Sequence, residues 1–188
     1  MNPQSDNFFI LTGGPGSGKT TLLSHLAGMG YHCMPEAGRA VIRQQERLGG
    51  AALPWNDKNA FARCMYEHDM AAYRRACAMT GLVFFDRGMI DVIAYLQLEQ
   101  LPVPKCLQAA ASRCRYHKTA FILPPWPQIY RNDHERRQDP PTAIATYKAM
   151  MKTYAQYGYT LVQVPCLPVA QRAAFILNEI AFRQTQEG

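Results

Sequence analysis

Gly13-Gly14-Pro15-Gly16-Ser17-Gly18-Lys19-Thr20 is the stretch of this 188-residue chain that decides its fold. It reads Gly-x4-Gly-Lys-[Ser/Thr] in full, a spacing with chemical meaning only between a strand and a helix. Both flanks comply. Phe8 to Thr12 is a short β-rich run, and Thr20 to Gly28 sets Leu22, Leu23 and Leu26 on one side of a helix with Gly28 as its stop. The glycines let backbone N–H groups turn inward around phosphate oxygens. The helix that follows adds its positive N-terminal end. Gly13 to Thr20, with Thr21 behind, therefore predicts a nucleoside triphosphate site. Lys19 reaches the β- and γ-phosphates there, and the Thr20 hydroxyl ligates Mg²⁺.

Outward from this loop, strand-like and helix-like apolar segments alternate. Tyr31 to Met34 reads as a strand and Ala37 to Leu48 as a helix closed by Gly49-Gly50. A long helix runs from Asn56 to about Thr80, with Phe61, Met65, His68 and Ala72 inside and the Arg63/Glu67 pair outside. Leu82 to Phe85 has the continuous apolar character of a buried parallel strand, and Met89 to Leu98 returns to helix. Beyond Pro102 and Pro104 come a helix near Cys106 to Arg115 and a strand from Thr119 to Leu123. Pro124-Pro125-Trp126-Pro127 is stiff and non-helical. Pro141 opens a helix to Gly158, with Ile144, Tyr147, Met151 and Tyr154 along one face. Tyr159 to Val164 and Pro168 to Phe182 are the last strand and helix. Five strands separated by helices predict one α/β domain over residues 1–188, a parallel sheet with helices on both faces. Ligands in such sheets bind beyond the carboxyl ends of the strands.

Composition narrows the function classes. With 48% hydrophobic and 18% charged residues the chain can build a real core. No apolar run approaches the roughly 18 residues of a membrane span. The tail from Met1 to Asn7 lacks the basic-then-apolar design of a signal peptide, so a cytoplasmic protein is expected. The six cysteines form no Cys-x-x-Cys pair and read as reduced, mostly buried hydrophobes. The net charge of +6 suits polyphosphate as well as nucleic acid. The densest basic cluster, Arg131 to Arg137, also holds Asp133 and Glu135, which argues against a nucleic-acid partner.

Three further positions carry candidate chemistry. Asp86 follows four apolar residues, the pattern of a strand that carries an acid to a metal. It is expected at the Mg²⁺ hydration shell, or as a cap of the helix near Gly88. Arg87 beside it suits a phosphate or an acceptor hydroxyl. Glu36 in Pro35-Glu36-Ala37-Gly38-Arg39 lands at the same sheet edge. It reads either as the group that takes a proton from an attacking hydroxyl, with Arg39 holding the acceptor, or as a favourable charge at a helix start. The polar segment with Arg131, Arg136 and Arg137 has the make-up of a lid, at about 128–142, or of a solvated loop with local ion pairs. Trp126 offers a ring for base stacking or for packing.

Taken in order, Gly-Gly-Pro-Gly-Ser-Gly-Lys-Thr-Thr, Pro-Glu-Ala-Gly-Arg, Phe-Phe-Asp-Arg-Gly and the arginine-rich lid resemble the P-loop family of predicted AAA-type ATPases and kinases. That family is similar to the nicotinamide-ribonucleoside kinase domain and to nucleoside and nucleotide kinases. The resemblance implies a three-layer P-loop NTP hydrolase fold with strand order 2-3-1-4-5 and Glu36 near the acceptor. It also implies Asp86-Arg87 near metal and phosphate, and the loop after Val164 beside the nucleotide base. Where nucleoside kinases carry Glu-Arg-Ser, this chain reads Asp86-Arg87-Gly88.

The expectation is thus a Mg²⁺-dependent phosphotransferase using ATP. Its acceptor is a small nucleoside- or nucleotide-like molecule. A nucleotide switch acting through a partner protein is the rival, and an empty or shallow cavity beside Glu36 would favour it. A nucleic-acid end kinase would need an open basic channel. ATP rather than GTP fits the lack of an Asn-Lys-x-Asp-like segment. Oligomeric state is not encoded in any motif.

Overall fold

A computed structural model of the chain describes residues 3–129 and 140–187. Five strands form one parallel sheet in the order β2-β3-β1-β4-β5. They are β1 (Phe8–Gly13), β2 (His32–Met34), β3 (Val83–Asp86), β4 (Thr119–Leu123) and β5 (Thr160–Gln163). The order is the one the resemblance implied. Leu11 of β1 lies in register with Asp86 of β3 and with Phe121 of β4, so the phosphate-loop strand is central.

Strand periodicity explains the two layers of helix. Phe8 and Ile10, with Val83, Phe85, Ala120 and Ile122, point into one core. Their chain neighbours Phe9, Leu11, Phe84, Phe121 and Leu123 point into the other. Both faces of each central strand are apolar, so both must be covered by helices. The first core is closed by α2 (Ala37–Leu48), α3 (Lys58–Ala76), α4 (Met89–Leu98), α5 (Lys105–Arg113) and α6 (Pro140–Gln156). The second is closed by α1 (Lys19–Gly28) and α7 (Val169–Glu187). None of the described helices is long and apolar enough to cross a membrane. All six cysteines are free thiols.

Three helix expectations need correction. The long helix is shorter than 56–80, because the Asp57 side chain accepts from the Ala60 N–H (2.9 Å) and fixes its start at Lys58. The inner face of this α3 continues from Phe61 and Met65 through Asp69, not His68. His68 turns aside towards Gln44, with Nε2 3.3 Å from Oε1. On α6 the buried face is Ala143, Thr146, Met150, Thr153 and Tyr154, while Ile144 and Met151 are 45% and 43% exposed. Polar residues occupy buried positions on both helices, and the reason lies in the site they enclose.

Candidate active site

The phosphate loop leaves the sheet at Gly13, where φ is +130° and a Cβ would lie 2.2 Å from the Leu123 carbonyl oxygen of β4. Only glycine passes that point. Within the loop Lys19 is buried, and its Nζ donates to the carbonyls of Gly14 (3.1 Å) and Gly13 (3.4 Å) and to Ser17 Oγ (3.4 Å). Ser17 Oγ donates to the Gly14 carbonyl at 2.9 Å, which tightens the turn. Thr20 and Thr21 stand exposed on the first turn of α1.

A cavity of about 500 Å³ opens beside this loop, lined by Gly16 to Thr21, Trp126 and Arg172 among others. Arg172, on the first turn of α7, donates to the carbonyls of Ser17 (3.3 Å) and Gly18 (3.5 Å). Its guanidinium lies over the Trp126 ring, 5.3 Å from the centroid. Burial draws the Arg172 pKa below its ordinary value. Leu167 and Pro168, in the segment after β5, line the same cavity.

A second cavity of about 560 Å³ lies on the other side of Arg39, which lines both. Glu36 stands at the N-cap of α2 without a side-chain cap bond. Its Oε1 accepts from Arg87 Nε at 3.1 Å, and its Oε2 lies 3.5 Å from Arg39 Nε. Arg87 has φ 70°, a left-handed backbone costly for a non-glycine residue. That bend, with Arg87 N–H donating to the Leu11 carbonyl at 3.0 Å, accompanies a guanidinium that bridges to Glu36 and back to Asp91. Burial opposes the Arg87 charge, but Glu36, Asp91 and Asp86 outweigh it and hold its pKa above the ordinary range.

Asp91 is the hub that sequence reading missed. Its carboxylate accepts from Thr12 Oγ1 (2.5 Å), Arg87 Nη1 (3.1 Å), the Gly88 N–H (3.1 Å) and the Tyr154 hydroxyl (2.6 Å). One side chain thus ties β1, α4 and α6. Burial, then Asp91, drives the Tyr154 pKa well above normal. The signal was available: Asp91 sits four residues from Arg87, alone among Met89, Ile90, Val92 and Ile93. Asp69 was missed too, though it breaks an apolar stripe at helical spacing. Arg172 had no motif of its own.

Asp86 ends β3, buried, at the carboxyl edge of the sheet and in register with the phosphate-loop strand. The Gly88 N–H at the start of α4 is accepted by Asp91. A Cβ on Gly88 would come within 2.8 Å of Ile10 Cδ1 and of the Tyr116 hydroxyl, which explains glycine in place of serine after Asp86-Arg87. Of the expected residues, Glu36, Arg39 and Arg87 meet at one cavity, and Gly16 to Thr21 line the other. Arg131, Arg136 and Arg137, with the core of the expected lid, lie outside the described residues.

The family model described as "AAA domain" (AAA_28) matches residues 8–172. A search of curated proteins gives no match. Among solved structures, NadR protein in complex with NAD and AMP-PNP superposes with a TM-score of 0.68 at 18% identity, over 95% of this chain and 54% of that one. The chain spans about half the length of the NadR proteins it matches. Deoxyadenosine kinase from M. mycoides, with products dCMP and dCDP bound, gives 0.64 at 14% identity, over 93% and 98% of the two chains. Thymidylate kinase from Ehrlichia chaffeensis gives 0.60 at 13%, over 94% and 99%. With the family model spanning all five strands and the phosphate loop, the chain belongs to the AAA domain family AAA_28 and carries the P-loop kinase fold.

Proposed function

We propose that this protein moves the γ-phosphate of ATP to a small nucleoside- or nucleotide-like acceptor. The observation that carries the reading is the pair of cavities meeting at Arg39, one on the phosphate loop and one on Glu36 and Arg87. Phosphoryl transfer needs donor and acceptor held in line across one short gap, with little covalent chemistry left to the protein. The structural neighbours include a deoxyadenosine kinase and a thymidylate kinase, which supports an acceptor of this class. The roomy cavity beside Glu36 speaks against a switch with no acceptor. The cytoplasm, which supplies ATP and keeps six free thiols reduced, suits the activity.

The donor triphosphate lies along Gly13 to Thr21. Loop N–H groups and Lys19 hold its oxygens, and Trp126, Leu167 and Arg172 flank the base. An acceptor hydroxyl beside Glu36 gives its proton to that carboxylate as its oxygen bonds to the γ-phosphorus. The bond from phosphorus to the β–γ bridging oxygen breaks, and ADP leaves. Arg39 and Arg87 orient the acceptor and offset charge on the transferring group. Arg131 and Arg136 are assigned the closing role. The residues suit Mg²⁺, which takes most of its ligands from phosphate and water and needs one or two protein oxygens. The exposed Thr20 hydroxyl and the Asp86 carboxylate at the neighbouring strand end would supply them. When bound, the ion would supply charge neutralisation on the triphosphate.

Glu36→Gln tests the assignment. It is expected to lower transfer by about 10²-fold or more while ATP affinity stays near wild type. Full transfer by this variant removes Glu36 from the chemistry.

A further inference from the structure

Asp69 lines the acceptor cavity and has no part in the transfer just described. It is 6% exposed, on the inner face of α3 one turn beyond Met65. Asp91 accepts four hydrogen bonds, whereas Asp69 makes none among the described residues. A buried carboxyl without a partner costs stability, so its place in a ligand cavity calls for a ligand. The groups whose charge or burial is coupled to it are Asp91 and Arg87 around the start of α4, Glu36 at the N-cap of α2, Asp86 of β3, and Tyr116 before β4. Burial first, then Asp91 and Glu36, push the Asp69 pKa well above the ordinary carboxylate range against the pull of Arg87. A neutral carboxyl presents an O–H donor beside a carbonyl acceptor.

Charge defines what else the cavity accepts. Among the described residues, five carboxyl side chains line it, Glu36, Glu46, Asp69, Asp91 and Glu99, against the two guanidinium groups of Arg39 and Arg87. Those two already face Glu36 and Asp91, and Lys58 at the rim bonds Glu99. Each of these three cations has its carboxylate. A phosphomonoester would add negative charge to a wall already in acidic surplus. The rest of the wall is apolar, with the rings of Phe61 and Tyr95 within and Trp55 in the lining. Such a wall offers apolar and aromatic surface for a ring to pack against.

Building on the phosphotransferase reading, we propose that the acceptor is an uncharged ring-bearing alcohol of the nucleoside class, and that Asp69 is the specificity-determining residue that reads it. The carboxyl pairs with adjacent donor and acceptor atoms on the ring edge. Phosphomonoesters are rejected.

The test uses the full chain with ATP, Mg²⁺ and paired probes. Adenosine is set against purine riboside, which lacks the ring amine. Cytidine is set against 2-pyrimidinone riboside, and uridine against 3-methyluridine, with each parent nucleoside 5′-monophosphate alongside. Wild type is expected to phosphorylate at least one intact-edge nucleoside and to disfavour its partner by about tenfold or more in kcat/KM. The 5′-monophosphates are expected to be poor acceptors. Asp69→Leu is expected to raise the acceptor KM about tenfold, leave the KM for ATP unmoved, and abolish the preference within the pair. Asp69→Asn keeps a donor and an acceptor side by side and is expected to restore both KM and preference, with thermal midpoints confirming that both variants fold. A preference that survives in Asp69→Leu overturns the proposal, as does Asn failing as badly as Leu. Phosphorylation of monophosphates in place of nucleosides also overturns it, while leaving the phosphotransferase reading intact. Release of free phosphate with no labelled acceptor defeats both.

Discussion

At the scale of single residues, the site depends on carboxylates that differ in how their bonding is satisfied. Asp91 accepts from Thr12, Arg87, Gly88 and Tyr154, so removing it leaves an N–H and two hydroxyls short of their acceptor and takes from Arg87 one of its two carboxylate partners. Asp91→Ala is therefore expected to cost about 3–5 kcal/mol, measurable by urea unfolding, because several buried donors lose their acceptor at once, each at about 1–3 kcal/mol. Asp69 should behave in the opposite sense. Its folded pKa is raised, so the native state holds this proton to higher pH than the unfolded chain does. Its contribution to stability is fully present below the unfolded value, about 3.9, and is lost as pH rises through the folded value. Asp69→Asn should thus be more stable than wild type at neutral pH, with the gain shrinking as pH falls towards 4. Thermal unfolding across that range checks it, and a gain that is flat or grows towards acid contradicts it.

Elements were far more legible in the sequence than their faces. The central strands are apolar on both faces, as in Val83, Phe84 and Phe85, because both sheet faces are covered. Glycines and prolines bracket the helices clearly enough that α1, α2 and α4 fall where the spacing predicts. The inner faces of α3 and α6 were misread because they close a cavity rather than a solid core. Asp69 and Thr146 are buried in its lining, while the apolar Ile144 and Met151 face outward. A hydrophobic stripe finds the side of a helix that meets packed side chains, and it fails where the neighbour is space for a ligand. The adjacent methionines of α6 give a measurable contrast. Met150→Ala, at 3% exposure, should cost about 2–5 kcal/mol, and Met151→Ala, at 43%, no more than about 0.5 kcal/mol. Equal losses in thermal unfolding would mean that the helix is rotated from the orientation described.

Across the whole molecule, the phosphate loop was legible because the N–H groups proposed to hold phosphate come from one continuous stretch of backbone. The acceptor side was only partly so, because it is assembled from α2, α3, α4 and α6 by the sheet order. Glu36 and Arg87 are 51 residues apart in sequence, and Asp91 and Tyr154 are 63. Spacing rules are silent over such separations. What the sheet does is bring β1, β2 and β3 side by side, so that Lys19, Glu36 and Asp86 leave one edge together. That convergence is the physical basis for reading a transferase rather than a bare nucleotide site. It is tested most directly by following the label from γ-³²P-ATP, with Mg²⁺ and a panel of nucleosides and nucleotides, in wild type, Lys19→Ala and Glu36→Gln. The account predicts label in a phosphorylated acceptor with wild type, formed about 10²-fold or more slowly with either variant. Label found only as free phosphate, whatever acceptor is supplied, would contradict it.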